Sequence, residues 1–319
     1  MNRREFLGAT AGVGLVLASG PEAFARRFGG LPVALVTADT ESHVAAIRLT
    51  DGRFQRKVAT PAGPRSIEAV GRTAIVAHTG SGAISLVDGP DLAVRRVLRG
   101  FGAPRYTAGG RDGRVAYVTD SARGEVAVLD LVRDRVVRRV DVGGPVRHIT
   151  AFGDTIWTAL GTKAAQIAVL DVSQPLRPRL RARVTPPFLA HDVGFTPRGA
   201  RVWVSSGDRG RIAVYEAAAR RPLFALTADA PPQHVTFLAG RAYVTSGDDA
   251  TLRVHRLDGR LLRTTGIPQG SYNVQQGWGV ILTPSLSQGT LCVVNASGGM
   301  RNRIDVAASS HDACFTMTR

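Results

Sequence analysis

Four of the seven histidines of this 319-residue chain, His148, His191, His234 and His311, stand at one position of an internal repeat, each at the start of a short β-like run. Neutral imidazole is the commonest protein ligand for zinc, copper and iron, with nitrogen about 2.0–2.1 Å from a zinc ion. A ring of three or four such side chains can hold one ion, so these four are the candidate metal ligands. Asp192 and Asp312 directly follow His191 and His311, where a carboxylate can orient a neighbouring imidazole. The other three repeat copies carry Ser66, Tyr106 and Tyr272 at the same position. Together the seven make a candidate ligand-contact set, with hydroxyls beside imidazoles. Two other roles stay open for the same residues: a polar ring that pairs with neighbouring backbone, and a substrate-contact ring without metal. His43, His78 and His255 lie elsewhere in the repeat.

What must position them is a unit of about forty residues. Ala116-Tyr117-Val118-Thr119 recurs as Ala242-Tyr243-Val244-Thr245, with looser copies around Leu35, Ile75, Trp157, Trp203 and Ile281. Those anchors are separated by 40, 42, 40, 46, 40 and 38 residues. A period near 41 matches one blade of a β-propeller, a four-stranded antiparallel sheet that cannot bury both faces alone. Turns such as Gly71-Arg72, Gly153-Asp154, Gly240-Arg241 and Gly277-Trp278 precede the anchors. Alternating strands such as Glu125 to Asp130 and Arg211 to Glu216 follow them, and helical periodicity is nearly absent. The fold class predicted is therefore all-β, a seven-bladed propeller with four antiparallel strands in each blade.

The first copy begins near Leu31, too late to hold its own innermost strand, and the repeat places the missing strand at Ser310 to Thr316. The C-terminal strand is expected to join blade one and close the ring, leaving no open sheet edge. On these residues the chain resembles the YVTN family of seven-bladed β-propellers over about residues 31–318, with Asp120 and Ser246 in place of the signature Asn. That resemblance implies the fold. It leaves activity open, because propellers host enzymes, electron carriers and scaffolds alike.

Asn2-Arg3-Arg4-Glu5-Phe6-Leu7, an apolar stretch from Gly8 to Ala18 and Ala23-Phe24-Ala25 follow the order of a secretory signal, and the paired arginines resemble a twin-arginine signal. Residues 1–25 are read as that signal and 26–319 as a single propeller domain, resident in the periplasm or secreted. No apolar run approaches the roughly 18 residues of a spanning helix, so no transmembrane segment is expected in the mature chain. Forty-one Lys and Arg against 25 Asp and Glu give a net charge of +16, but Lys57 and Lys163 are the two lysines and the arginines are scattered through turns. This predicts a solvated basic surface first, with a polyanion or nucleic acid as an alternative partner. Cys292 and Cys314 fall on strands not obviously close, which favours two buried thiols over a disulfide. Gly207-Asp208 and Gly247-Asp248-Asp249 read as turn chemistry rather than calcium sites. There is no G-x-S-x-G elbow, CxxCH, Walker loop or HExxH. The functional expectation is a monomeric, exported module that binds a small molecule or protein at its channel mouth. Its alternative is a redox or accessory enzyme with copper, iron or zinc, or a cofactor, on the histidine ring.

Overall fold

Twenty-eight strands, in seven antiparallel sheets of four, make up almost all of the regular secondary structure of the computed structural model, which describes residues 20–28, 30–161 and 165–319. Each sheet is built from strands consecutive in sequence, with one exception. Blade one pairs β28 (Ser310–Thr318) with β1 (Leu31–Ala38), followed by β2 (His43–Arg48) and β3 (Phe54–Ala59). The C-terminal strand thus supplies the innermost strand of the first blade, in a register running from Leu31 opposite Thr318 to Val36 opposite Ala313. The seven-bladed ring is closed.

Burial explains why the middle strands read as nearly unbroken apolar runs. Both faces of strands such as Thr73–His78 and Val115–Asp120 are covered by adjacent blades, so every side chain in them is buried. Outer strands such as Leu261–Gly266 and Met300–Asp305 are largely exposed and carry arginine. Among the described residues the core consists of seven apolar layers, one in each interface between neighbouring blades. Tyr117, Trp157, Trp203 and Tyr243, at the repeat anchors, fill these interfaces. Tyr117 donates its hydroxyl to the carbonyl of Pro175 in the next blade at 3.1 Å, and Tyr243 does the same to Ala296. Cys292 and Cys314 are buried free thiols.

Two hairpin turns sit one residue away from their predicted places. Ala239-Gly240 and Trp278-Gly279 are the turn pairs, with φ of 49° and 73° and of 48° and 78°. Both residues of each pair are left-handed, as a two-residue turn matching strand twist requires. Trp278 lies half-buried against Phe315 of β28, with ring centroids 5.2 Å apart. The expected signal falls largely outside the described residues. From Gly20 the chain forms helix α1 (Gly20–Phe28), which packs on β1. Among the described residues no helix is long and apolar enough to cross a membrane.

Candidate metal centre

The innermost strands of blades two to seven are β4 (Ser66–Val70), β8 (Pro104–Gly109), β12 (Ile149–Phe152), β16 (Ala190–Phe195), β20 (Gln233–Leu238) and β24 (Gln275–Gly277). The ring residues lie at or just before their N-terminal ends, so they crowd one mouth of the channel. Hydroxyls of the repeat signature hold these strand ends by the main chain. Thr119 Oγ1 accepts from the Tyr106 amide at 3.0 Å and Thr37 Oγ1 from the Asp312 amide at 2.9 Å. Ser205 Oγ accepts from the Asp192 amide at 3.2 Å, and Thr158 Oγ1 donates to the His148 carbonyl at 3.0 Å.

His148, His191 and His234, from three consecutive blades, offer one nitrogen each within 4.8 Å of one another. Their ring centroids are separated by 4.3 to 5.3 Å. Tetrahedral nitrogens about 2.1 Å from a zinc ion lie roughly 3.4 Å apart, so closing on one ion takes ring shifts on the order of 1 Å. His148 and His234 are buried, whereas His191 is only half-buried. Nε2 of His148 is buried without a hydrogen-bond partner, a lone pair or proton that nothing in the protein uses. Tyr106 stacks on His148 with ring centroids 3.4 Å apart.

Asp192 orients this group. Its Oδ1 lies 3.1 Å from His148 Nδ1 and also accepts from the Val193 amide at 2.7 Å. Oδ2 accepts from the Val235 amide at 2.8 Å and lies 3.8 Å from His234 Nδ1. A carboxylate on Nδ1 holds the proton there and leaves Nε2 of His148 as a free donor to a metal. Strand pairing between β16 and its neighbour skips His191 and Asp192, and an equivalent irregularity occurs at His311 and Asp312. Such bulges re-aim side chains, and here one strand presents an imidazole and a carboxylate in succession.

The other predicted ring members do different work. His311 stands apart from the cluster: its Nδ1 donates to the Arg65 carbonyl at 2.8 Å, and Asn273 donates to the His311 carbonyl at 2.8 Å. Ser66 lines the channel and donates to the Arg105 carbonyl. Tyr272 turns away and donates its hydroxyl to Asp248, while Asn273 takes the channel-facing place. The reason is local: β24 has only three residues, so the segment before it leaves the ladder and slips by one. Of the remaining histidines, His78 bonds Ser85 at 2.9 Å and His255 donates to the Gly259 carbonyl at 3.1 Å. His43 lies 3.3 Å from Glu41. Asp208 accepts the Leu189 amide and Asp249 the Ala230 amide, the role of turn carboxylates.

Deeper in the channel, a cavity of about 370 Å³, Glu68 accepts from Gln275 at 3.0 Å, and burial pushes its carboxyl up to about 7. Asp312, bonded by the amides of Ile67 and Ala313, is raised well above the usual carboxylate range by the same cause. The imidazoles move the other way. Burial, then neighbouring histidines and arginines, lowers His191 to about 3 and holds His148 and His234 well below 6.5. All three are therefore neutral at neutral pH, the form that binds metal.

The sign of the stability effect follows. Below pH 6.5 the unfolded chain takes up protons that these buried histidines refuse, so acidification from pH 7 to 4 destabilises the folded metal-free protein. Glu68 and Asp312 act oppositely. Folded, they keep protons that the unfolded chain releases, so their contribution is fullest in acid and fades as pH rises toward the folded values, about 7 for Glu68. Urea midpoints should peak near neutral pH and fall toward pH 4, and a His148→Ala/His191→Ala/His234→Ala variant should show a flatter acid limb.

No protein-family model and no curated protein matches the sequence, so the comparisons that bear on it are structural. A protein of unknown function from Desulfotomaculum acetoxidans superposes with a TM-score of 0.77 at 11% identity, over 90% of this chain and 99% of the other. Apo AztD from Citrobacter koseri gives 0.69 at 13% identity, over 90% and 98%. The dihydro-heme d1 dehydrogenase NirN in complex with DHE gives 0.63 at 16% identity, over 86% of this chain and 63% of that one. At these identities the likeness is one of fold: the seven-bladed propeller.

Proposed function

We propose that this chain is an exported binding propeller whose channel mouth takes a divalent transition-metal ion on His148, His191 and His234. The observation that carries the reading is the convergence of three neutral imidazoles from three successive blades, one of them set by Asp192 and left with a buried, unpartnered Nε2. Three nitrogen ligands leave a position open, and half-buried His191 puts it on the solvent side, where an ion can enter and leave. Zinc, copper and iron all suit imidazole. Among the similar structures, a dehydrogenase carrying DHE supports the view that this fold hosts ligands. Export rests on the twin-arginine-like segment of residues 1–25, a route that delivers folded proteins and so suits a preformed site. The YVTN likeness rests on the repeated Ala-Tyr-Val-Thr motif.

The test is metal content. Protein purified from its native host, and metal-free protein titrated with zinc or cobalt, should bind one ion per chain. The triple alanine variant, checked for an unchanged circular dichroism spectrum, should bind none. Equal, near-zero metal in both proteins overturns the reading. A redox-active ion with visible absorbance that cycles with an added electron donor would convert the carrier into the alternative redox enzyme.

A further inference from the structure

The residue immediately before the ring position is arginine in three successive blades: Arg65, Arg105 and Arg147. Arg65 is paired with Asp39 at 3.0 Å. The other two have no acidic partner among the described residues. Arg105 spends its Nε on the Ser121 hydroxyl at 2.9 Å, and its terminal nitrogens make no hydrogen bond among the described residues. The Arg147 guanidinium makes none at all among them. Both line one pocket of about 660 Å³ between the third and fourth blades, together with Ser121 and Arg123. Arg123 lies 3.8 Å from Asp120, whose two oxygens already accept the amides of Gly102 and Ala103. The acidic residue in the lining, Asp141, is turned onto the Gly143 amide at 2.7 Å.

Burial first, and then the neighbouring Arg147, disfavour the charge of the half-buried Arg105, which has no counterion among the described residues. An anion in the pocket removes that penalty and meets five-donor forks suited to oxygen pairs. We propose that this pocket binds a small multivalent oxyanion, a phosphate or a polycarboxylate, through Arg105, Arg147 and Arg123. It adjoins the channel mouth, since Arg105 precedes Tyr106 and Arg147 precedes His148. It needs no metal.

The test uses the full chain stripped of metal and dialysed free of chelator, so its outcome is separable from that of the metal titration. Isothermal titration with inorganic phosphate and, separately, with citrate at fixed ionic strength should show saturable one-site binding for at least one. Phosphate alone would mark a phosphate site, citrate alone a carboxylate site, and both a general oxyanion site. Arg147→Ala and Arg105→Ala should each weaken binding about tenfold or more, as the loss of a charge-assisted hydrogen bond predicts. Arg147→Lys should retain part of it, and Arg114→Ala, in an exposed turn, all of it. Because the Arg147 guanidinium makes no hydrogen bond among the described residues, its variant decides the matter even if Arg105→Ala folds poorly. No binding of either anion at millimolar concentration, or binding indifferent to Arg147, overturns the proposal.

Discussion

Deleting residues 309–319 will unfold the whole ring rather than fray one end of it. The lost segment is β28, which pairs with β1 along its length. Its side chains serve two interfaces at once: Ala313 belongs to the apolar layer between blades seven and one, and Cys314 to the layer between blades one and two. Asp312 also ties this strand to blade two through the Ile67 amide. The main-chain hydrogen bonds to β1, worth roughly 0.5–1.5 kcal/mol each, together with the burial of Ala313 and Cys314 and the part-burial of Phe315 and Met317, rival the entire net stability of about 5–15 kcal/mol expected of such a domain. The truncated chain should lack a cooperative thermal transition and elute as expanded or aggregated material. A synthetic 309–319 peptide added during refolding should restore part of the transition, because the vacated edge is a template for that strand. A truncated protein with an unchanged melting temperature would refute the closure role.

Asp192→Asn should lower metal affinity by about 10- to 100-fold, the usual effect of losing a carboxylate that orients a ligating histidine. The amide must turn its NH2 toward one of the donors that Asp192 now satisfies: the amides of Val193 and Val235, or Nδ1 of His148. The repeat supplies an internal control. Asp312 accepts the amides of Ala313 and Ile67 in the same way, but the histidine of its own strand is not in the cluster. Asp312→Asn should therefore perturb stability without changing metal affinity. Zinc titrations of both variants against a competing chelator make the comparison, and equal affinities would remove Asp192 from the site.

The architecture was legible because each blade repeats the same demand for burial. Aligning Leu35, Ile75, Tyr117, Trp157, Trp203, Tyr243 and Ile281 counts the blades, and the late start at Leu31 reveals the borrowed strand. The channel mouth was legible only where repeat position and strand register coincide. They coincide at Ser66, Tyr106, His148 and His234, and a bulge carries His191 to the same place. They part at Tyr272, because a three-residue strand cannot enforce the register that a six-residue strand does. The roles of Asp192 and Asp312 depend on bulges, which follow from tertiary pairing and leave no periodic trace. Arg105 and Arg147 were not legible, because a composition so rich in arginine hides two unpaired ones among many solvated ones.

The signature hydroxyls have one more consequence. Thr37, Thr119 and Ser205 grip peptide atoms of the inner strands, not what those strands display. Each blade thus offers a seat whose occupant is exchangeable, which is why serine, tyrosine and histidine share it without disturbing the frame. Drift at a handful of codons can rewrite the molecule's chemistry while its chassis stays put, and a protein engineer can do the same, seat by seat.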